Sequence, residues 1–564
     1  MNKGKRFASF AVWATLLVLI LSIGTGIVAA QDTKSLVYAA GPGDPRSIDP
    51  QAAINVRDWY LLNLLFPALT TLDEESNAIE PGIVTGWDVS DDGLVTTFHI
   101  IPDIPWVRYN ADTEAVEPVM DDSGSPRYVT AEDVVYGWTR ALDPATGSSG
   151  AYMLAPVVTG GVEFNSGAGS ADALGIRAVD TYTFEVTAPE SVGYALGLYG
   201  LLNARPTPAW VIDEYDTSWT EPENIVSYGP FALKEWVHEE SMTFVKNPLW
   251  PGSAGYAQAK LDELTFRFID NDVALREYEA GNIDVVPAVP VDQIPRIKAD
   301  PALSQELTIT PGACTTAWGL HTEKAPFDNV HMRRAFSYAV DRETLANQVL
   351  QGSVLPARWY TPPSVNLAPT LETDPDLGIA FDPAKAQEEL QLGLADMGLT
   401  SVDELPPITA VFGSSVTNTT IGQALQAMWQ DTLGIHVELG PMDATTYWAQ
   451  MEVDAGQIFA AGWCPDYNDA NNYTRDVMHS GGIYNYGRYN SPTFDSLVDQ
   501  ARLLSDPDQR RALYRQAEEV LIVDEAGTIP LSWASIVSLT KPNVERTHVP
   551  SGIEAFWKWD VSGS

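Results

Sequence analysis

Between residues 462 and 467 the chain reads Gly462-Trp463-Cys464-Pro465-Asp466-Tyr467. A carboxylate placed beside aromatic surface invites a cationic guest. For a peptide α-amine, Asp466 would supply a charge-assisted hydrogen bond while the Trp463 ring keeps water away from it. The competing reading is a surface loop closed by an Asx-type turn, because Asn468 and Asp469 follow.

Catalytic patterns are missing from the sequence. It holds no His-Glu-x-x-His, no Gly-x-Ser-x-Gly, no phosphate-binding loop and no Cys/His metal spacing, and His238-Glu239-Glu240-Ser241-Met242 only starts like a zinc-protease motif. Asp88-x-Ser90-x-Asp92-Gly93 starts like a calcium loop, but the position that needs a bidentate glutamate is His99. A binding protein is expected, with no covalent chemistry, cofactor or metal.

The N-terminus has Lys3, Lys5 and Arg6, an apolar run from Ala8 to Val28, and Val28-Ala29-Ala30 before Gln31. Residues 1–30 therefore read as an export signal, with an uncleaved N-terminal anchor as the alternative. The functional part is expected at the outer face of the cytoplasmic membrane or in the periplasm. The whole chain carries 33 Lys and Arg against 75 Asp and Glu, a net charge of −42. Losing the three cations of the signal takes this to −45, which argues against nucleic acid or anionic lipid as partners.

The elements that must position Asp466 are read from periodicity and caps. A strand at Leu36–Ala39 is followed by a helix from about Trp59 to Leu69, and Trp87 to Ile100 forms a hairpin around Asp91-Asp92-Gly93. Thr130 and Asp133 frame a capping box that opens a helix through Leu142. Two further strands flank Glu239-Glu240. Beyond His331, strands at Ile408–Phe412 and His436–Leu439 enclose a helix at Ile421–Leu433, the strand-helix-strand order of a parallel pair. Helices follow from Pro492 and Pro507, and a last strand is expected at Ile529–Trp533. After Ala30 about 534 residues remain, more than one core usually serves, so two or three lobes are expected. Cys314 and Cys464 are the two cysteines of an exported chain and are expected to pair, with two buried thiols as the alternative. The pair would close a 150-residue loop, for which chain entropy gives up to ~5 kcal/mol.

Five segments together resemble one known family: Ser47-Ile48-Asp49-Pro50, Val129 to Tyr136, Trp219 to Val226, Ala325 to Ala335, and Gly462 to Asn468. The chain resembles the extracytoplasmic solute-binding proteins of peptide ABC transporters (family 5), in particular their oligopeptide-binding members. The resemblance implies an α/β fold, a two-lobed periplasmic-binding-protein type II clamp with an additional α+β domain. Lobe I would comprise 31–75, 221–313 and 531–564, the additional domain 76–220, and lobe II 314–530. It implies a Cys314–Cys464 disulfide, an extended peptide bound by strand-like hydrogen bonds, and a monomer whose partner is the membrane permease. Residue by residue, Asp466 matches the carboxylate that pairs with the peptide amine. Gly462 and Cys464 match main-chain partners, as do Asn55 and Val56 on the facing segment. Tyr152 and Trp533 lie near pocket aromatics, with core packing as the alternative.

One departure stands out. The family's arginine two residues before the cleft glycine is Ala460 here, Gln450 to Gln457 offers no cation, and Gln348 and Leu350 stand where a lysine might be expected. Arg358 is the one nearby candidate for a ligand carboxylate, with a surface role as the alternative. The same scaffold could instead hold an oligosaccharide, an opine-like compound or a nickel chelate, or serve as an extracellular sensor or chaperone. Asp466 discriminates, because a neutral sugar has no amine to pair with it.

Overall fold

In the computed structural model, residues 33–53, 56–73, 78–201, 203–547 and 554–562 are described. The expected export signal and Asn55 lie outside the described residues, and Val56 is described for its backbone alone.

An eleven-stranded mixed sheet runs through the molecule. Its order is Phe231–Val237, Ser241–Lys246, Glu263–Arg267, Ser35–Ala39, Val285–Val286, Thr528–Thr540, Leu307–Leu320, Ile458–Trp463, Ile408–Gly413 and Val437–Met442, with Val354–Pro356 attached to 528–540. The expected parallel pair is present: Ile408 stands opposite Val437 and Gly413 opposite Met442. The helix between them, Val416–Leu433, starts five residues earlier than its apolar pattern suggests, because Ser415 accepts from the amide of Asn418 as its cap.

The two longest strands differ most from expectation. Leu307–Leu320 alternates only over its first four residues before Pro311-Gly312 interrupts it, so local pattern conceals its length. The expected strand at 529–533 continues to Thr540, and it is followed by the short pair Val544–Glu545 and Asp560–Val561. These long strands pair along their length, but the register slips where Pro311 opposite Ser535 gives way to Thr315 opposite Trp533. Four residues on one strand there match two on the other, which bends the sheet as a bulge does. Gly312, Ala313 and Cys314 occupy the slip.

Apolar side chains gather on either side of this bend. One cluster draws on residues 36–285 and 544–559, and another on 313–533. A four-stranded antiparallel sheet, Val84–Val89, Val95–Ile100, Thr183–Thr187 and Ile176–Asp180, adds its buried face to the first cluster. The helix Ala131–Leu142 lies against it, opened as expected by the Asp133 carboxylate, which accepts from the Thr130 amide at 2.8 Å and the Thr130 hydroxyl at 2.9 Å. The helix expected over 59–69 is Val56–Leu65, since Pro67 pushes Phe66 out of helical geometry. Among the described residues, no helix is long and apolar enough to cross a membrane.

Candidate functional site

The strand Ile458–Trp463 delivers the Gly-Trp-Cys-Pro-Asp segment. It pairs antiparallel with 307–320, Gly462 opposite Thr316 and Trp463 opposite Thr315. One step further along, Cys314 and Cys464 are joined in a disulfide with Cα atoms 4.2 Å apart. Pairing is therefore what the two cysteines do, and it locks the end of the ladder beside the register slip. On its other edge the strand meets 408–413 only at Ile458 and Phe459. From Ala460 to Trp463 that edge carries no partner strand among the described residues.

Beyond the disulfide the chain turns into the short helix Ala470–Tyr473, capped by Asp469, which accepts from the Asn471 amide at 2.9 Å. The Asx-type turn is thus real, but Asp469 makes it and Asp466 is left for other contacts. Asp466 is half-buried. Its Oδ2 accepts from Asn472 Nδ2 at 3.3 Å, and the Tyr152 hydroxyl lies close enough to help hold the carboxylate ionised. Asn472 Oδ1 in turn accepts from Trp463 Nε1 at 2.8 Å and from the Asp466 amide at 2.9 Å. The Trp463 ring packs on Tyr484 with centroids 4.7 Å apart. The neighbours that meet the Asp466 carboxylate are therefore Tyr152 and Asn472, and Trp463 is tied to it through Asn472.

A second carboxylate completes the cluster. Asp476 Oδ2 accepts from Asn472 Nδ2 at 3.1 Å and from the Tyr467 hydroxyl at 2.7 Å. Burial pushes both Asp466 and Asp476 above the ordinary carboxylate range, and their hydrogen bonds offset only part of the rise. The negative charge of Asp466 raises Asp476 further. Such a site is under-compensated when ionised, so a cation arriving at it gains more than it would at a solvated acid. Burial raises Asp469 as well, but it has a paired cation, Arg510 Nη2 at 2.8 Å from its Oδ1.

A cavity of about 750 Å³ opens beside this segment. Its lining includes Tyr38, Gly41, Trp59 and Tyr60 together with Cys314, Cys464, Pro465 and Ala534. Pro465 and Tyr467, the two neighbours of Asp466, both line it. A smaller aromatic cavity of about 180 Å³ is lined by Gly462, Trp463, Tyr360, Trp448 and Tyr484.

The remaining expected site residues divide. Tyr152 lies beside Asp466 and is 45% exposed. Trp533 does not line either cavity: it is 1% exposed and packs on Trp359 at 4.9 Å, so the core-packing alternative describes it. Arg358 also lines neither, and its Nη1 donates to the Pro375 carbonyl at 2.7 Å. The cation that does line the large cavity is Arg57, but its guanidinium donates to the carbonyls of Ala40, Pro42, Gly43 and Asp44. Sequence reasoning missed Asn472 and Asp476. Their spacing from Asp466, six and ten residues across a capped turn, has no periodic signature.

Two halves joined by a bent pair of long strands, with a large cavity beside the bend, define a two-lobed solute-binding protein. Consistent with this, residues 78–485 match the model of the bacterial extracellular solute-binding proteins, family 5. The chain belongs to that family. It is 28% identical to the periplasmic oligopeptide-binding protein OppA of Escherichia coli over 94% of this chain and 93% of the relative. It is 30% identical to the probable deoxycholate-binding periplasmic protein YgiS of Escherichia coli, over 89% and 88%. Among solved structures it resembles the periplasmic murein tripeptide-binding protein MppA in its unliganded open form, with a TM-score of 0.79, 24% identity, and 94% and 98% of the two chains covered.

Proposed function

We propose that this protein captures peptides outside the cytoplasmic membrane, in the cavity between its lobes, and delivers them to an ABC permease. Asp466 pairs with the peptide α-amine, and the backbone of Gly462 to Cys464 hydrogen-bonds the ligand main chain. The observation that carries this reading is the strand edge from Ala461 to Trp463 without a partner strand among the described residues, followed by a half-buried, under-compensated carboxylate whose two sequence neighbours line a 750 Å³ cavity. An extended peptide can add to such an edge, and its ammonium group then meets the carboxylate. Lobe I would be 31–75, 221–313 and 531–564, the additional domain 76–220 and lobe II 314–530, moving about the register slip at 311–315 and 533–535. The protein acts as an exported monomer without enzymatic chemistry. Similarity to OppA supports peptides as the solute.

A second reading is an apolar amphipathic solute. The apolar lining of the large cavity (Pro287, Val289, Ile294, Ala313, Val354 and Ile536) and the name of YgiS favour it. The carboxylates of the site disfavour an anionic solute of that kind. Calorimetry of free-amine and N-acetylated forms of the same peptides decides: a large preference for the free amine is expected, and equal affinities would sink the amine assignment.

A further inference from the structure

Asn472 is 1% exposed, and its side-chain amide meets four groups of the site at once. Trp463 Nε1–H and the Asp466 N–H are donors only, so the amide atom facing them is the oxygen, at 2.8 and 2.9 Å. Asp466 Oδ2 and Asp476 Oδ2 are carboxylate oxygens, so the atom facing them is the NH2 group, at 3.3 and 3.1 Å. Both acceptor sites and both hydrogens of the amide are thereby used. No other side chain of this length offers two acceptors on one atom and two donors on another, in one plane and without charge.

From this we infer that Asn472 is the positioning residue of the amine site, an inference that rests on the peptide-amine reading of Asp466. It places the indole of Trp463 and the carboxylate of Asp466 in one rigid frame. Because the amide is neutral, it orients the carboxylate without neutralising it. A lysine or arginine in the same place would also hold Asp466, but would compete with the ligand for its charge. The Asp466 carboxylate accepts one hydrogen bond within the described residues, from Asn472 Nδ2, which leaves acceptor capacity on it for an ammonium group. Asp476, itself held by Tyr467 at 2.7 Å and by Asn471 Nδ2 at 3.2 Å, keeps the Asn472 amide from rotating.

The test uses the full chain and two peptide libraries, free-amine tri- to pentapeptides and the same peptides N-acetylated, with retention quantified by mass spectrometry. Asn472→Ala is expected to lower free-amine retention about 10- to 100-fold, the usual range for loss of a group that orients a ligand-binding residue, and to leave acetylated peptides unchanged. Asn472→Asp preserves shape and carries the test if the alanine variant does not fold. Its carboxylate cannot donate at pH 8, but among three acids it takes up a proton as pH falls and regains one donor. The ratio of variant to wild-type Kd for a free-amine peptide should therefore narrow between pH 8 and pH 5.5. A pH-independent ratio, or unchanged free-amine retention by Asn472→Ala, overturns the inference. The two readings fail separately: wild-type protein that retains both libraries equally refutes the amine site itself, whereas loss in Asp466→Ala with full retention in Asn472→Ala refutes the role of Asn472 alone.

Discussion

The ring of Tyr467 lies stacked on that of Tyr194, centroids 5.4 Å apart and planes inclined by 22°. Tyr467 follows Asp466 directly, yet it packs in the apolar cluster built from residues 36–285. Nearby, Arg502 pairs with Glu190 at 2.7 Å and the Gly193 amide donates to the Arg502 carbonyl at 2.9 Å. The segment that carries Asp466 is thus gripped from both halves. Replacing Tyr194 with alanine removes one stacked pair, and ligand dissociation should quicken by about 2- to 10-fold. Stopped-flow displacement measures this; an unchanged rate would mean that the stack does not hold the Asp466 segment in its binding position.

The disulfide continues a ladder already made by Thr315 opposite Trp463. It closes a 150-residue loop, so its loss frees much unfolded-state entropy. A Cys314→Ser/Cys464→Ser double variant should lose about 2–4 kcal/mol of stability. Denaturant titration with and without reductant checks this, and reductant should affect the wild type alone.

Asp466→Asn should separate stability from binding. The unfolded carboxylate titrates near 3.8, and burial raises the folded value above it. Through that window the folded state holds the proton more tightly, so stability falls as pH rises and the deficit is complete above the raised value. Removing the charge should therefore raise the melting temperature at pH 8, by about 1 °C per kcal/mol at this chain length, and leave it unchanged near pH 3.5. Free-amine binding should fall by several kcal/mol, the scale of a broken buried charge pair. Scanning fluorimetry across pH, beside calorimetry, reads both effects; a variant less stable than wild type at pH 8 would contradict the assigned sign.

Arg510 and Asp469 form a pair whose side chains are 4% and 5% exposed. Arg510→Ala leaves the Asp469 charge buried alone and should cost about 3–5 kcal/mol. Adding Asp469→Asn should recover part of that loss, because the neutral amide still caps the Ala470–Tyr473 helix. A double-mutant cycle in guanidinium showing purely additive losses would refute the coupling.

Short-range chemistry was legible along the chain. The capping box at Thr130 and Asp133 and the hairpin through Asp91-Asp92-Gly93 depend on residues a few positions apart, the parallel pair around 416–433 on one strand-helix-strand unit, and each is present. The strand Leu307–Leu320 was not legible, since Pro311 and Gly312 break its pattern while its partners lie more than 130 residues away. Trp533 was placed near the pocket aromatics by the family resemblance, which does not tell which face of a strand is lined and which is packed. On that strand the cavity is met by its neighbours from Ala534 to Val537.

Asp466 itself was marked in the linear chain by the residues around it, Gly462 through Asn468, as was the pairing of the two cysteines. Its surroundings were not. Tyr152 was named by the family resemblance but not its place beside Asp466, Tyr194 and Arg510 come from distant stretches of sequence, and Asn472 becomes a hub only when a capped turn folds its amide back on Trp463 and Asp466. A charge and its type are properties of one residue, whereas burial, orientation and the absence of a compensating cation belong to the assembled neighbourhood.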